Sequence, residues 1–265
     1  MKYKTAVILC GGRGTRLGDL GKKKPKTLVN VDRYPILWYI ILSLLRNSIN
    51  HFILPLGYKG EIIKKYVERK FKNKKYNFII DFFKTGVNTS IAKRIEIVKN
   101  FIKSDDFFLL NGDAIFELNL KKIFLNHKKQ KKVASFISCH APLAYGVVST
   151  KKNKIVNFTR EINFNTVLSS NKRSILSFVY SGMIILNKIA LKTKFKNSDN
   201  FEEKLYPKLI KKFNTDLISA RGFWHSVDSI KDLDRLNKKI DINKFNSLIK
   251  IKEKNIKYEK RILEK

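Results

Sequence analysis

The sequence predicts an α/β protein, a single domain built on a mostly parallel sheet flanked by helices, with a β-rich insertion in its second half. Three observations predict it. Short apolar runs such as "KTAVILC", "HFILPL" and "FFLLNGD" have the length and composition of buried strands. Between them lie stretches with helical spacing, so strand and helix alternate as they must where parallel strands need crossovers. The 265 residues are 43% hydrophobic and 12% aromatic, enough to bury a core.

Each element follows in order. "KTAVILC" is a strand, and "PILWYIILSLLRNSI" (35–49) is an apolar-faced helix with Pro35 in its first turn. The strand "HFILPL" (51–56), the helix "GEIIKKYVERKF" (60–71) and the strand "YNFIIDFF" (76–83) come next. "SIAKRIEIVKNFI" (90–102) has helical spacing, and "FFLLNGD" (107–113) is a strand ending in a turn. A helix is expected near Leu118–Lys129. The rhythm then changes to strand-like pieces with few helices between them: "KVASFIS", "YGVVST", "KIVNFT" and "ILSFVYSGMIIL". Two further helices, "NFEEKLYPKLIKKF" and "SIKDLDRLNKKI", flank the strand-like "TDLISA". The tail, 241–265, is Lys-rich and expected to be helical. No repeat and no Pro/Gly/Ser linker interrupts residues 1–240.

Composition bounds the function. The longest apolar run, "YPILWYIILSLL", is shorter than the roughly 20 residues a membrane span needs. "AVILC" is too brief for a signal-peptide core. Cys10 and Cys139 are the only cysteines and lack metal-ligand spacing, which indicates a reduced, cytoplasmic protein. A net charge of +34 attracts phosphates of every kind. The lysines are spread along the whole chain, however, and no zinc-finger, RNP1 or KH signature accompanies them, so a solvated basic surface is expected rather than a specific nucleic-acid interface.

The chemistry concentrates in "LCGGRGTRL" (9–17). A dinucleotide fingerprint starting at Gly12 and Gly14 would need a third glycine where Leu17 stands, and no G-x-x-x-x-G-K-[ST] loop is present. Two readings remain: a plain tight turn, or a loop whose bare N–H groups approach a polyphosphate while Arg16 neutralises oxygens. "KKPKTL" follows, where Pro25 stiffens the chain and Lys26 can place a point charge on a phosphate. Asp113 closes the strand "FFLL", and Asp228 follows "FWHSV" and precedes a helix. Strand-end carboxylates in a parallel sheet face the ligand crevice. The alternatives are a turn-stabilising aspartate for Asp113 and a helix N-cap for Asp228.

"GGRGTRL" followed by "PKTLVNVDRYPIL" resembles the nucleotide loop of the sugar-phosphate nucleotidylyltransferases, which join a nucleoside triphosphate to a sugar 1-phosphate and release pyrophosphate. "LLNGD", "YGVV", "YSGMIIL" and "FWHSVDSIKDLDRLN" extend the likeness over most of residues 4–240. The resemblance implies a Rossmann-like fold of the nucleotide-diphospho-sugar transferase type, with a nucleotide half over about 1–130 and an acceptor half over about 131–240. It implies catalysis by Arg16, Lys26 and Asp113, with Mg²⁺ held by Asp113 and Asp228. The nucleotide-binding set is Leu9, Cys10, Gly11, Gly12, Gly14, Thr15, Arg16, Lys26, Thr89, Arg94 and Gly112. The acceptor-binding set is Tyr145, Gly146, Arg160, Glu161, Ser181 and Gly182.

"TGVNTSIAKRI" (85–95) resembles the glucose-1-phosphate cytidylyltransferase branch, in which the threonine and the arginine matching Thr89 and Arg94 hold cytosine. A guanidinium offers parallel donors to the adjacent acceptors of that base. Ala92-Lys93 replaces the branch's Gly-Gly, and "SIAKRI" also reads as an ordinary helix start. "FTREI" lacks the family's acceptor lysine, leaving Arg160 or Lys172 as substitutes. The expected partners are CTP or another NTP and a sugar 1-phosphate or other phosphorylated small molecule, in a homo-oligomer. A heptose or mannose 1-phosphate guanylyltransferase and a non-catalytic nucleotide- or nucleic-acid-binding protein of the same fold are the alternatives.

The distribution of charge yields a first prediction. Binding to DNA or RNA is expected to be sequence-independent and to fall steeply with salt in a filter-binding titration. Tight, sequence-selective binding at physiological ionic strength would reverse it.

Overall fold

The computed structural model describes residues 3–71, 78–139, 147–151, 154–159, 166–170, 173–193 and 200–238. Tyr145, Gly146, Arg160, Glu161, Lys172 and the 241–265 tail lie outside them.

A seven-stranded sheet forms the centre. Its strands are β1 (Thr5–Leu9), β2 (His51–Leu56), β3 (Ile79–Lys84), β4 (Asp106–Asn111), β5 (Ala134–Cys139), β6 (Val179–Asn187) and β7 (Thr215–Ser219). They lie in the order β7-β5-β6-β4-β1-β2-β3. Pairings β1–β2, β1–β4, β2–β3 and β5–β7 are parallel, whereas β6 runs antiparallel to both β4 and β5. The sheet is mostly parallel, as expected, with one reversed strand in its middle.

Side-chain alternation decides which residues face which layer. Ala6, Ile8, Phe108 and Leu110 point to one core, while Val7, Phe107 and Leu109 point to the other. The first core is covered by helices α1 (Ile36–Arg46), α2 (Gly60–Phe71), α4 (Leu120–Lys129) and α6 (Ile230–Asn237). The second is covered by α3 (Ile91–Val98), through Ala92, Ile95 and Val98, and α5 (Tyr206–Lys212), through Tyr206 and Leu209. Each fully buried Ile, Leu or Phe contributes about 1.5–3 kcal/mol of transfer free energy.

Several elements depart from the sequence expectation. Helix α1 begins at Ile36, with Pro35 as its N-cap rather than inside its first turn. "ILSFVYSGMIIL" is two strands, Arg173–Ser177 and β6, because the first pairs with Thr166–Ser170 in a separate hairpin. "NFEEKLYPKLIKKF" is not one α-helix. Asn200 caps a π-helical turn over Phe201–Leu205, and α5 follows. A ribbon made by Ala114–Leu118 and Gly222–Ser226 was not anticipated, and its partners are far apart in sequence. The residues after 131 are β-rich, through this hairpin and that of Val147–Lys151 with Lys154–Thr159, but they also supply β5, β6 and β7 to the central sheet. Among the described residues no helix is long and apolar enough to cross a membrane.

At the end of the sheet opposite the glycine loop, where β4 begins, Asp106 is 4% exposed. Burial alone would raise its pKa, but hydrogen bonds from His127, Lys128 and Asn187 outweigh that and hold the carboxyl well below the usual carboxylate range. A carboxyl whose folded pKa is depressed adds stability above its unfolded value of about 3.9, and loses it as pH falls through the folded value. Chemical denaturation between pH 7 and pH 3 should therefore show wild type losing stability below about pH 4. Asp106→Asn should be about 1–3 kcal/mol less stable at pH 7 and lose less on acidification. Equal acid slopes in the two proteins would remove Asp106 as the cause.

Candidate functional site

The β1–β4 register places Leu9 opposite Asn111, so the glycine loop and the Gly112-Asp113 turn leave the sheet side by side. The Gly112 N–H donates to Leu9 O at 3.1 Å, and any Cβ on Gly112 would lie 2.6 Å from that oxygen. The unanticipated ribbon completes the crevice. Val227 N–H donates to Asp113 O at 2.9 Å, which brings Asp228 alongside Asp113. Asp228 is free of capping duty, because Ser229 is the N-cap of α6 and forms a capping box with Asp232.

Lys26 joins the two carboxylates. Its Nζ donates to Asp113 Oδ2 at 2.8 Å and to Asp228 Oδ1 at 2.9 Å, and Arg16 Nη1 reaches Asp228 Oδ1 at 3.4 Å. Burial opposes the Lys26 charge, but Asp113 and then Asp228 overcome it and raise its pKa. Burial likewise opposes the Asp228 charge, and the Lys26 hydrogen bond more than compensates, lowering that pKa. Gly14 makes the approach possible. Its φ of +65° suits glycine, and a Cβ there would stand 3.0 Å from Lys26 Cβ. Thr15 and Arg16 are exposed in the turn that follows.

Beside these groups lies a cavity of about 370 Å³, lined by the strand ends at Leu9 and Asn111, the glycine loop, Lys26 and the 87–94 segment. Cys10 is on its wall, but burial pushes its thiol well above the ordinary value, so it is no thiolate nucleophile. Gly12 faces open space, whereas a Cβ on Gly11 would collide with the Arg94 guanidinium at 2.2 Å.

Arg94 is 4% exposed and almost fully engaged. Its Nε donates to Thr89 O at 3.1 Å and its Nη2 to Gly86 O at 2.9 Å and Gly11 O at 3.3 Å. Its Nη1 donates to the Thr85 hydroxyl. The open pair of parallel donors expected from the sequence is therefore absent, and one Nη1 N–H remains. Thr89 donates its hydroxyl to Thr85 O, which leaves its lone pairs as acceptors. Ser90 caps α3, accepting from Lys93 N–H, so the segment is also the helix start that the sequence allowed.

Of the described acceptor candidates, Ser181 is 3% exposed and donates inward to Ile137 O at 2.7 Å, so its hydroxyl supports the sheet. Gly182, at φ +73°, lies against Asn111. Three residues here escaped the sequence reading. Asn88 accepts from Arg13 at 2.9 Å and ties the glycine loop to the 85–90 segment. Asn111 adjoins Glu202: burial first, and then the charge of Asp113, raises the Glu202 pKa, while Asn111 opposes. The place of Asn111 before Gly112-Asp113 and that of Asn88 inside "TGVNTSIAKRI" could have signalled them, whereas Glu202 depends on long-range approach.

A family model described as nucleotidyl transferase matches residues 5–242. The chain belongs to that family. Over 251 residues it is 28% identical to a probable glucose-1-phosphate cytidylyltransferase of Bacillus subtilis, covering 88% of this chain and 94% of the relative. It is 31% identical over 209 residues to a D-glycero-alpha-D-manno-heptose 1-phosphate guanylyltransferase of Campylobacter jejuni, covering 77% and 87%. In fold it is similar to HddC from Yersinia pseudotuberculosis, with a TM-score of 0.67 at 20% identity, covering 90% of this chain and 100% of that one. The inositol-1-phosphate CTP transferase from T. maritima has a TM-score of 0.64 at 18% identity, covering 95% and 98%. The family and fold that the motifs implied are thus borne out.

The glycine loop's packing separates two neighbours. Gly11→Ala should cost about 1–3 kcal/mol in thermal unfolding, because the new methyl meets the buried Arg94. Gly12→Ala should unfold like wild type. A Gly11→Ala protein of wild-type stability would show that Arg94 can yield.

Proposed function

We propose that this nucleotidyltransferase joins CTP to the phosphate of a sugar 1-phosphate and releases pyrophosphate. The observation carrying this reading is the meeting of Lys26 with Asp113 and Asp228 beside a glycine-loop cavity. An oxygen of the acceptor phosphate bonds to the α-phosphorus as the bond to pyrophosphate breaks. The attacking phosphate is already an anion, so no side chain need serve as nucleophile, and the buried thiol of Cys10 is no obstacle. Two polyanions must be brought together, so binding, alignment and charge neutralisation supply the catalysis. The Gly11 and Gly12 backbone lets the triphosphate approach, Arg16 neutralises the departing pyrophosphate and Lys26 the phosphoryl group under attack. Arg16, at 79% side-chain exposure, has room to reach outward.

Asp113 and Asp228 suit Mg²⁺. They already converge on a cation, the Lys26 ammonium, and present hard oxygens. Among the described residues no group of three or more potential ligands forms, but Mg²⁺ commonly takes one or two carboxylates together with phosphates and waters. Held there, the ion would supply Lewis-acid neutralisation of phosphate oxygens.

The choice of CTP over UTP rests on Thr89 and Arg94. A threonine oxygen with only lone pairs to offer suits the cytosine amino group, and the remaining Arg94 N–H suits an adjacent ring acceptor. Uracil presents the opposite pattern, acceptor then donor. Glu202, beside Asn111 and Asp113, supplies acceptors for sugar hydroxyls. The second reading is guanylyl transfer, favoured by the 31%-identical heptose 1-phosphate guanylyltransferase and by the HddC structure in complex with GMP-PN.

Pyrophosphate release measured with CTP, UTP, GTP and ATP against glucose, mannose and heptose 1-phosphates tests both. CTP should exceed UTP in kcat/KM by on the order of a hundredfold, from two mismatched groups at about 1–3 kcal/mol each. Asp113→Asn should lower kcat by roughly a hundredfold or more with the fold intact. A GTP preference favours the second reading, and no release from any pair overturns both.

A further inference from the structure

A second cavity, of about 760 Å³, lies behind the segment that carries Lys26 and shares no lining residue with the first. One wall is a stripe of α2. Ile62, Lys65, Tyr66, Arg69 and Lys70 follow the spacing that puts residues on one helical face. The other wall is the stretch from Lys24 to Pro35, which contributes Arg33 and Leu28. Lys24, Arg33, Lys65, Arg69 and Lys70 therefore converge on one hollow, and no carboxylate lines it.

This differs from the diffuse lysine surface elsewhere. None of the five cations forms a salt bridge with a carboxylate among the described residues, although Lys70 stands over the Tyr34 ring at 5.2 Å and Glu61 attracts Lys65 from the same helix. Two of the five belong to the chain's few arginines, whose planar donors match phosphate oxygens in pairs. The hollow also has an apolar side. Leu28 is buried at its floor, Ile62 is 46% exposed, and the buried Tyr66 hydroxyl has no hydrogen-bond partner. Cationic groups over an apolar floor suit a ligand with phosphates at one end and a ring or carbon skeleton at the other. The volume is that of a small-molecule pocket.

We propose that this cavity binds a phosphorylated small molecule, at a site separate from the one that handles the nucleotide. The inference does not rest on the reaction, because a chain that released no pyrophosphate would still bind here.

Isothermal titration with inorganic tripolyphosphate at about 0.15 M salt tests it. Wild type should show two classes of site, one in each cavity. The double variant Lys65→Gln/Arg69→Gln, at exposed positions of α2, should lose one class and keep its unfolding midpoint. Lys121→Gln/Lys122→Gln, equal in charge removed and exposed on α4, should retain both. A class of sites that Lys65→Gln/Arg69→Gln leaves untouched, or equal loss in the two double variants, would show diffuse attraction only and overturn the proposal. So would displacement of tripolyphosphate from this cavity at lower concentration by a short single-stranded oligonucleotide.

Discussion

The Arg94 guanidinium is buried against neutral oxygens, and it stands where the loops leaving β1, β2 and β3 come together. It bonds Gly11 O on the first loop and Thr85, Gly86 and Thr89 on the third. A Cβ on Gly57, in the second, would lie 2.6 Å from its Nη2. Burying a cation without a counter-ion is costly. Hydrogen bonds from a charged donor, at about 1.5–3 kcal/mol each, offset the cost. That offset lasts only while all the acceptors stay in place, so the loops are positioned together. Burial accordingly depresses the pKa of Arg94, but a guanidinium starts so high that it remains charged.

Once those loops are set, the balance of charge at the crevice follows. Lys26 and Arg16 face Asp113 and Asp228, two positive charges against two negative. Neither carboxylate is left bare, and neither cation is locked deep in the protein. Arg16, at 79% side-chain exposure, can exchange Asp228 for another partner at small cost, whereas Lys26, at 16%, is held more firmly between its two carboxylates.

Much of this was legible in the sequence because it was local. Apolar runs marked β1, β2 and β4, and their ends marked where the glycine loop and Asp113 would emerge. Lys26, Asp113 and Asp228 meet as those positions suggested. What was not legible depends on direction and long-range pairing. Nothing in "SGMIIL" states that β6 runs against its neighbours, since alternation is the same in either direction. The ribbon joining Ala114–Leu118 to Gly222–Ser226 leaves no local trace, yet it delivers Asp228. Arg94 was recognisable within its motif, but its commitment to loop oxygens depends on a fold around it. The direction of the Ser181 hydroxyl was hidden for the same reason, because its inward turn toward Ile137 O is set by β5.

The reversed strand has a consequence for how such a chain can diversify. Because β6 runs backwards, it starts at the end of the sheet where β5 finishes, with Val179 opposite Cys139. Everything between them, including the hairpins of 147–159 and 166–177, departs from and returns to the same edge of the core. Lengthening, shortening or rewriting that excursion leaves the pairing of β5 with β6 and of β6 with β4 untouched. The arrangement is modular: the half of the sheet that holds the glycine loop can stay constant while the stretch between Cys139 and Val179 changes in length.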